Sequence, residues 1–123
     1  MDWKIELIVV PVSDVDKAIS FYRDQVGFTL DMDAPISDDL RFVQLTPPGS
    51  ACSIAIGTGL SDMAPGSLHA IQVVIPDAAE ARQHLLDVGV DASEVDEQAW
   101  GKFVSFEDPD GNRWSLQELP LRG

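Results

Sequence analysis

The sequence predicts an α+β fold built from two tandem βαβββ modules, their strands forming a curved mixed sheet around a cavity and their helices on the outer face. Three observations predict it. An apolar run from Ile5 to Val12 leads into Val15, Ala18, Ile19, Tyr22 and Val26, one stripe at helical spacing, and Phe28-Thr-Leu-Asp-Met follows as a strand. The pattern then restarts: setting Asp14 on Asp77 puts Ala18 on Ala81 and, one gap later, Asp24 on Asp87, Val26 on Val88 and Gly27 on Gly89. Between the copies, Gly57 to Ser67 is rich in Gly, Ser, Pro and Thr and has no periodicity, as a linker should. The modules are therefore residues 1–57 and 68–123, joined by 58–67. One module buries its helix on one face of four strands and leaves the other face bare. Two modules can turn those bare faces toward each other and enclose a cavity.

The first strand is expected over Trp3 to Val12, where β-branched residues are dense. Ser13-x-x-Asp16 has the form of a capping box at the helix start, and Gly27 suits the left-handed residue that ends it. Strands follow at Phe28–Asp33, Leu40–Thr46 and Ala51–Ile56, separated by the turn residues 34–39 and by Pro47-Pro48-Gly49-Ser50. In the second module the expected elements are a strand Leu68–Ile75 and a helix opened by Pro76-Asp77 and closed by Gly89. Strands at Val90–Val95, Gly101–Glu107 and Arg113–Leu119 complete it, the last two joined by the turn Asp108-Pro-Asp-Gly111.

At 123 residues, 45% hydrophobic and 24% charged, the chain has the composition of one globular domain. No run of about 18 apolar residues exists, so no membrane span is expected. The first residues lack the shape of a secretory signal, and a cytoplasmic address is the expectation. Eight scattered Lys and Arg against 21 Asp and Glu leave a net charge of −13, which argues against nucleic acid or an anionic membrane as partner. Cys52 is the only cysteine and reads as a small buried hydrophobe.

Val12-Ser-Asp with Phe21-Tyr22 and Gly27-Phe28, the restart at Ile75-Pro-Asp77, and Asp108-Pro-Asp-Gly-Asn112 together resemble the vicinal oxygen chelate superfamily of glyoxalases, bleomycin-resistance proteins and extradiol dioxygenases. The resemblance implies the paired-module fold and positions for a divalent metal. Those positions fall here on Leu7, Gln44, Ala70 and Ser115, which leave no usable donor set. No cofactor is therefore expected. The alternative is a metal relocated by one residue to Glu6, His69 and Glu118, serving a lyase, isomerase or dioxygenase, although strict alternation turns these three toward the helix side.

The same offsets set which strand residues face the cavity. Leu7 and Val9, Phe42 and Gln44, Ala70 and Gln72, and Arg113, Ser115 and Gln117 share that face, apolar walls with a few amides and hydroxyls. On these strands the face shows no His or carboxylate to act as a general base. Trp100, in a loop entering a strand, is placed to cover the cavity, stack on a planar ligand, or pack on the sheet edge. Trp3 and Trp114 read as core or interface aromatics. The implied function is a metal-free small-molecule-binding protein, with the relocated-metal enzyme and a ligand-free interaction module as competing readings. The resemblance also implies a homodimer, and the linker is long enough for modules to be exchanged between chains.

Overall fold

The computed structural model describes residues 1–120. The first module runs β1 (Leu7–Val9), α1 (Val15–Ile19) continued by a π-helical segment Ser20–Val26, β2 (Thr29–Ser37), β3 (Leu40–Thr46) and β4 (Ser53–Thr58). The second runs β5 (Ile71–Val74), α2 (Ala78–Asp87), β6 (Asp96–Gln98), β7 (Gly101–Glu107) and β8 (Arg113–Glu118). The sheets have matching orders, β1-β4-β3-β2 and β5-β8-β7-β6. Only β1–β4 and β5–β8 are parallel pairs, because in each module a helix carries the chain from one edge strand to the opposite edge. Among the described residues no helix is long and apolar enough to cross a membrane.

Both helices start as their sequences ask, with one correction. Asp77 caps α2, its Oδ1 accepting from the Glu80 amide at 3.0 Å, and Asp14 caps α1 through the Lys17 amide at 3.1 Å. The expected capping box at Ser13 does not form. Ser13 reaches across the molecule instead, donating from its amide and hydroxyl to the two oxygens of Asp110 at 3.1 and 2.5 Å. Gly27 ends the helical stretch at φ 101°, with the Gly27 and Phe28 amides both donating to Tyr22 O. The expected strand Val90–Val95 is also absent. Val90 and Ala92 pack on the core as loop while Val95 is exposed; Ser93 hydrogen-bonds to Ser105 of β7, and the regular ladder with β7 begins only at Asp96. Strand β1 is shorter than expected, and β2 continues through Pro35 to Ser37 where a turn was expected.

The helix-facing residues of both sheets and both helices form one continuous core, which includes Tyr22, Phe28, Leu45, Leu85, Phe106 and Trp114. Trp114 stacks on Phe106 at 6.0 Å and lies edge-on to Phe28 at 5.5 Å, so aromatic rings of the two modules interlock. At the centre is the carboxylate of Asp108. It accepts from the Tyr22 hydroxyl (2.6 Å), the Asn112 amide side chain (2.8 Å) and the Asp110 and Asn112 backbone amides (3.0 and 2.9 Å). Trp114 Nε1 donates to the Tyr22 oxygen at 3.0 Å, and Asn112 also donates to Pro11 O at 2.8 Å. The motif after the first strand and the turn before the last one are thus two halves of one joint.

The linker belongs to that joint. Gly66 donates to Pro11 O and has φ +80°, and a Cβ there would lie 2.0 Å from Asp110 O. Gly66→Ala adds a backbone clash to left-handed strain, so a loss of about 1–3 kcal/mol is expected in urea denaturation. Gly27→Ala, where a Cβ meets nothing within 4 Å, should lose less.

Within one chain the helix-facing sides of the two sheets meet in that single core, so their bare faces point away from it, and among the described residues no hydrogen-bonded ladder connects the two sheets.

Candidate functional site

Each sheet carries an open face opposite the core. On the first sheet, Val43 and Leu45 of β3 point into the core, so Phe42, Gln44 and Thr46 point out. Leu7 and Val9 of β1 lie beside Ser53 and Ala55 of β4 in parallel register, and Ala55 lies opposite Gln44. On the second sheet, Trp114 and Leu116 are buried, and Arg113, Ser115 and Gln117 take the other side. Gln72 lies in register with Ser115 on that side, and Ala70 is exposed just before β5. The expected lining residues therefore lie in two groups, one per sheet, and a single chain does not bring the groups together.

Trp100 sits in the turn between β6 and β7, 62% exposed, with its carbonyl accepting from Gln117 Nε2 at 3.0 Å. Gln117 Oε1 in turn accepts from Gln72 Nε2 at 2.9 Å. A shallow cavity of about 340 Å³ beside Trp100 is lined by Phe103, three hydroxyls (Ser93, Ser105, Ser115) and the Asp96 carboxylate. Aromatic surface next to convergent hydroxyl, amide and carboxylate groups is a ligand-binding chemistry. At the sheet's end, Glu107 and Arg113 pair across β7 and β8 at 3.3 Å.

The sequence reading missed the carboxylates of these faces. Asp96 and Glu107 lie on strands it had not assigned to the lining. Asp31 lies on β2, where a register shift between Leu30 and Met32 leaves it as the extra residue, and its carboxylate accepts from the Thr46 hydroxyl. Thr46 continues to Ser53 Oγ at 2.6 Å, and Ser53 to Gln44 Nε2 at 3.2 Å. The available signal was the alternation entering β2, where Phe28 just before the strand and Leu30 within it pack with the core and so turn Asp31 outward. The same shift sends Asp33 to the helix side, where Arg41 pairs with it at 2.8 Å and with Asp16 of α1 at 3.0 Å. That guanidinium holds the Asp33 carboxyl below its ordinary range.

Residues 4–116 match the sequence profile of the Glyoxalase/Bleomycin resistance protein/Dioxygenase superfamily. The chain belongs to this superfamily. Among solved structures of the superfamily's fold, TnmS3, an antibiotic binding protein from Streptomyces sp. CB03234, is 33% identical over 97% of this chain and 98% of its own, with a TM-score of 0.88. A glyoxalase/bleomycin resistance protein from the same Streptomyces is 34% identical over 94% of this chain and 100% of its own, with a TM-score of 0.83. The uncharacterized protein YetH of Bacillus subtilis is 28% identical over 94% of this chain and 98% of its own.

The metal that many members of the superfamily hold does not fit the residues at the expected positions. Leu7 and Ala70 present carbon only, Gln44 uses its amide nitrogen on Ser53, and Ser115 offers a lone hydroxyl. The relocated set does not converge within the chain. Glu118 Oε1 accepts from the Ala78 amide at the start of α2 (2.8 Å), His69 Nε2 lies 3.1 Å from Gly66 O, and Glu6 is exposed. Among the described residues no three His, Cys, Asp or Glu side chains gather into a metal-binding group.

Proposed function

We propose that this protein binds a small, partly aromatic molecule without a catalytic metal, in a site that two chains complete together. The observation that carries the reading is the pair of open faces. They hold an exposed indole, amides, hydroxyls and carboxylates over apolar strands, and the ligand positions of a metal enzyme are filled by leucine, glutamine, alanine and serine. The likeness to an antibiotic binding protein over nearly the whole chain supports it.

The edges of the sheets support the second chain. The outer edges carry aspartates and Pro35 on β2 and Asp96-Glu97-Gln98 on β6, the usual protection against unwanted pairing. The inner edges have none. β1 is Leu7-Ile8-Val9 and β5 is Ile71-Gln72-Val73-Val74, each paired on one side only. An apolar groove of about 540 Å³, lined in part by Ile8, Ile71, Val73 and Val74, lies between them. β1 of one chain against β5 of another, repeated by a twofold axis, would satisfy both edges and set a first sheet beside a partner's second sheet. The two groups of lining residues would then share one concavity.

The test is a thermal-shift screen of aromatic natural-product antibiotics against the untagged protein, with metal content measured by mass spectrometry. The expected result is a stabilising compound in metal-free protein. In Trp100→Ala its affinity should fall at least about tenfold with the ligand-free melting temperature unchanged, since the exposed indole supports no core. Stoichiometric zinc, nickel, manganese or iron that disappears in His69→Ala would replace this reading with the relocated-metal enzyme.

A further inference from the structure

We propose that Gln117, held in turn by Gln72, is the residue that positions the Trp100 indole for the ligand; this rests on the binding reading above. Trp100 needs such a support. The loop between β6 and β7 is only Ala99-Trp100, closed by Gln98 opposite Gly101. Two-residue hairpin loops favour positive φ, which matches the twist of their strands. Among the described residues positive φ is confined to glycines, so Ala99 and Trp100 make a turn without that match. The strand that should hold the hairpin, β6, is three exposed residues at the edge of the sheet. Local structure therefore leaves the aromatic wall of the cavity of about 340 Å³ weakly fixed.

Strand β8 supplies the support. Gln117 Nε2 donates to Trp100 O at 3.0 Å, and among the described residues no other hydrogen bond ties Ala99 or Trp100 to the rest of the chain. A carbonyl only accepts, so it dictates the order behind it. Nε2 of Gln117 must face Trp100, Oε1 must face Gln72, and Gln72 presents its own Nε2, at 2.9 Å. The two amides form a strut from the edge strand β5 across β8 to the turn. The fit is close, since a Cβ on Gly101 would lie 2.6 Å from Glu118 O and 3.1 Å from Gln117 Nε2. Gln117 is half-buried and does not line the cavity beside Trp100, so it acts through the indole. An aromatic wall fixed before the ligand arrives leaves less ordering to be done on binding.

Labelling with 5-fluorotryptophan reports this without a ligand. Fluorine NMR of wild type is expected to show a Trp100 line, assigned through Trp100→Phe, resolved from that of the exposed Trp3. Gln117→Met keeps the side-chain length and loses both amide bonds. It should move the Trp100 line toward that of Trp3 while the line of the buried Trp114 stays. Gln72→Glu should do the same although position 72 makes no hydrogen bond to Trp100, because its carboxylate accepts from Gln117 Nε2 and draws that donor off the carbonyl. Gln72→Lys still donates to Gln117 Oε1 and should keep the wild-type line. Affinity is measured for riboflavin, a neutral planar probe, and for each antibiotic that stabilises wild type. It should fall about three- to tenfold in Gln117→Met and Gln72→Glu and hold in Gln72→Lys. A Trp100 line unmoved in Gln117→Met, a line moved equally by lysine and glutamate at position 72, or affinities that hold while the line moves overturns this inference and leaves the binding reading standing. Failure of riboflavin and every antibiotic to bind wild type, with the line moving as expected, overturns the binding reading and leaves the strut a support of the turn alone.

Discussion

Asp108→Ala should destabilise the folded chain by about 3–5 kcal/mol, the largest loss expected from any single polar substitution here. Asp108 is 5% exposed, and its two oxygens take the Tyr22 hydroxyl, the Asn112 side chain and two backbone amides. Removing the carboxylate strands these donors in the core between the two modules, where water does not replace it. Tyr22→Phe removes one donor and leaves Trp114 Nε1 unpaired, so a smaller loss of about 1–2 kcal/mol is expected. Urea denaturation of the three proteins measures the order, and an Asp108→Ala protein within about 1 kcal/mol of wild type would refute the joint's role.

The same joint carries a pH dependence. Burial, followed by the negative charge of Asp108, raises the Tyr22 hydroxyl well above the ordinary tyrosine range. A group whose folded pKa is raised contributes stability below its unfolded value and loses it as pH climbs past that value. The loss should therefore begin near pH ~10, where the unfolded tyrosine ionises. Wild type should lose stability more steeply than Tyr22→Phe above that pH, with the two curves parallel at neutral pH.

Charging the inner edges should separate the chains without unfolding them. Ile8 and Val74 are 38% and 61% exposed in the single chain, so lysine at either position meets solvent and little else. In a pair joined through β1 and β5 the same lysines would be desolvated against the apolar edge strand of the other chain. Ile8→Lys and Val74→Lys are each expected to weaken dimerisation at least about a hundredfold, as two unpaired charges buried per dimer would require. Far-ultraviolet circular dichroism should be unchanged, and native mass spectrometry should show monomers. Ligand binding should be lost in step, because neither sheet alone holds both groups of lining residues. A wild-type protein that is monomeric at tens of micromolar yet binds ligand would sink the two-chain site.

The sequence read the molecule well where a local cause operates. The helix start at Asp77, the left-handed Gly27 and the bounds of β3 and β7 depend on neighbours in the chain, and each stands where the residues placed it. The first helical stripe stands only in part, since Ser20–Val26 is π-helical. The sequence read less well where a residue answers to a distant partner. Ser13 has the spacing of a helix cap but serves Asp110, 97 positions away, and Val90 and Ala92 look like strand residues because they pack on the core.

By itself the sequence determined that two copies of one module exist, which strand residues turn from the core, and that the usual metal positions are filled by leucine, alanine, glutamine and serine. These follow from periodicity, repeat spacing and side-chain chemistry, which are properties of order along the chain. Only the tertiary structure decided that the modules of one chain share a core rather than enclose a cavity. It also decided that Asp31 joins the polar row of the first sheet while Asp33 pairs with Arg41. Those outcomes depend on how two apolar helix faces meet and on one shifted register in β2, neither of which alternation along a strand can express.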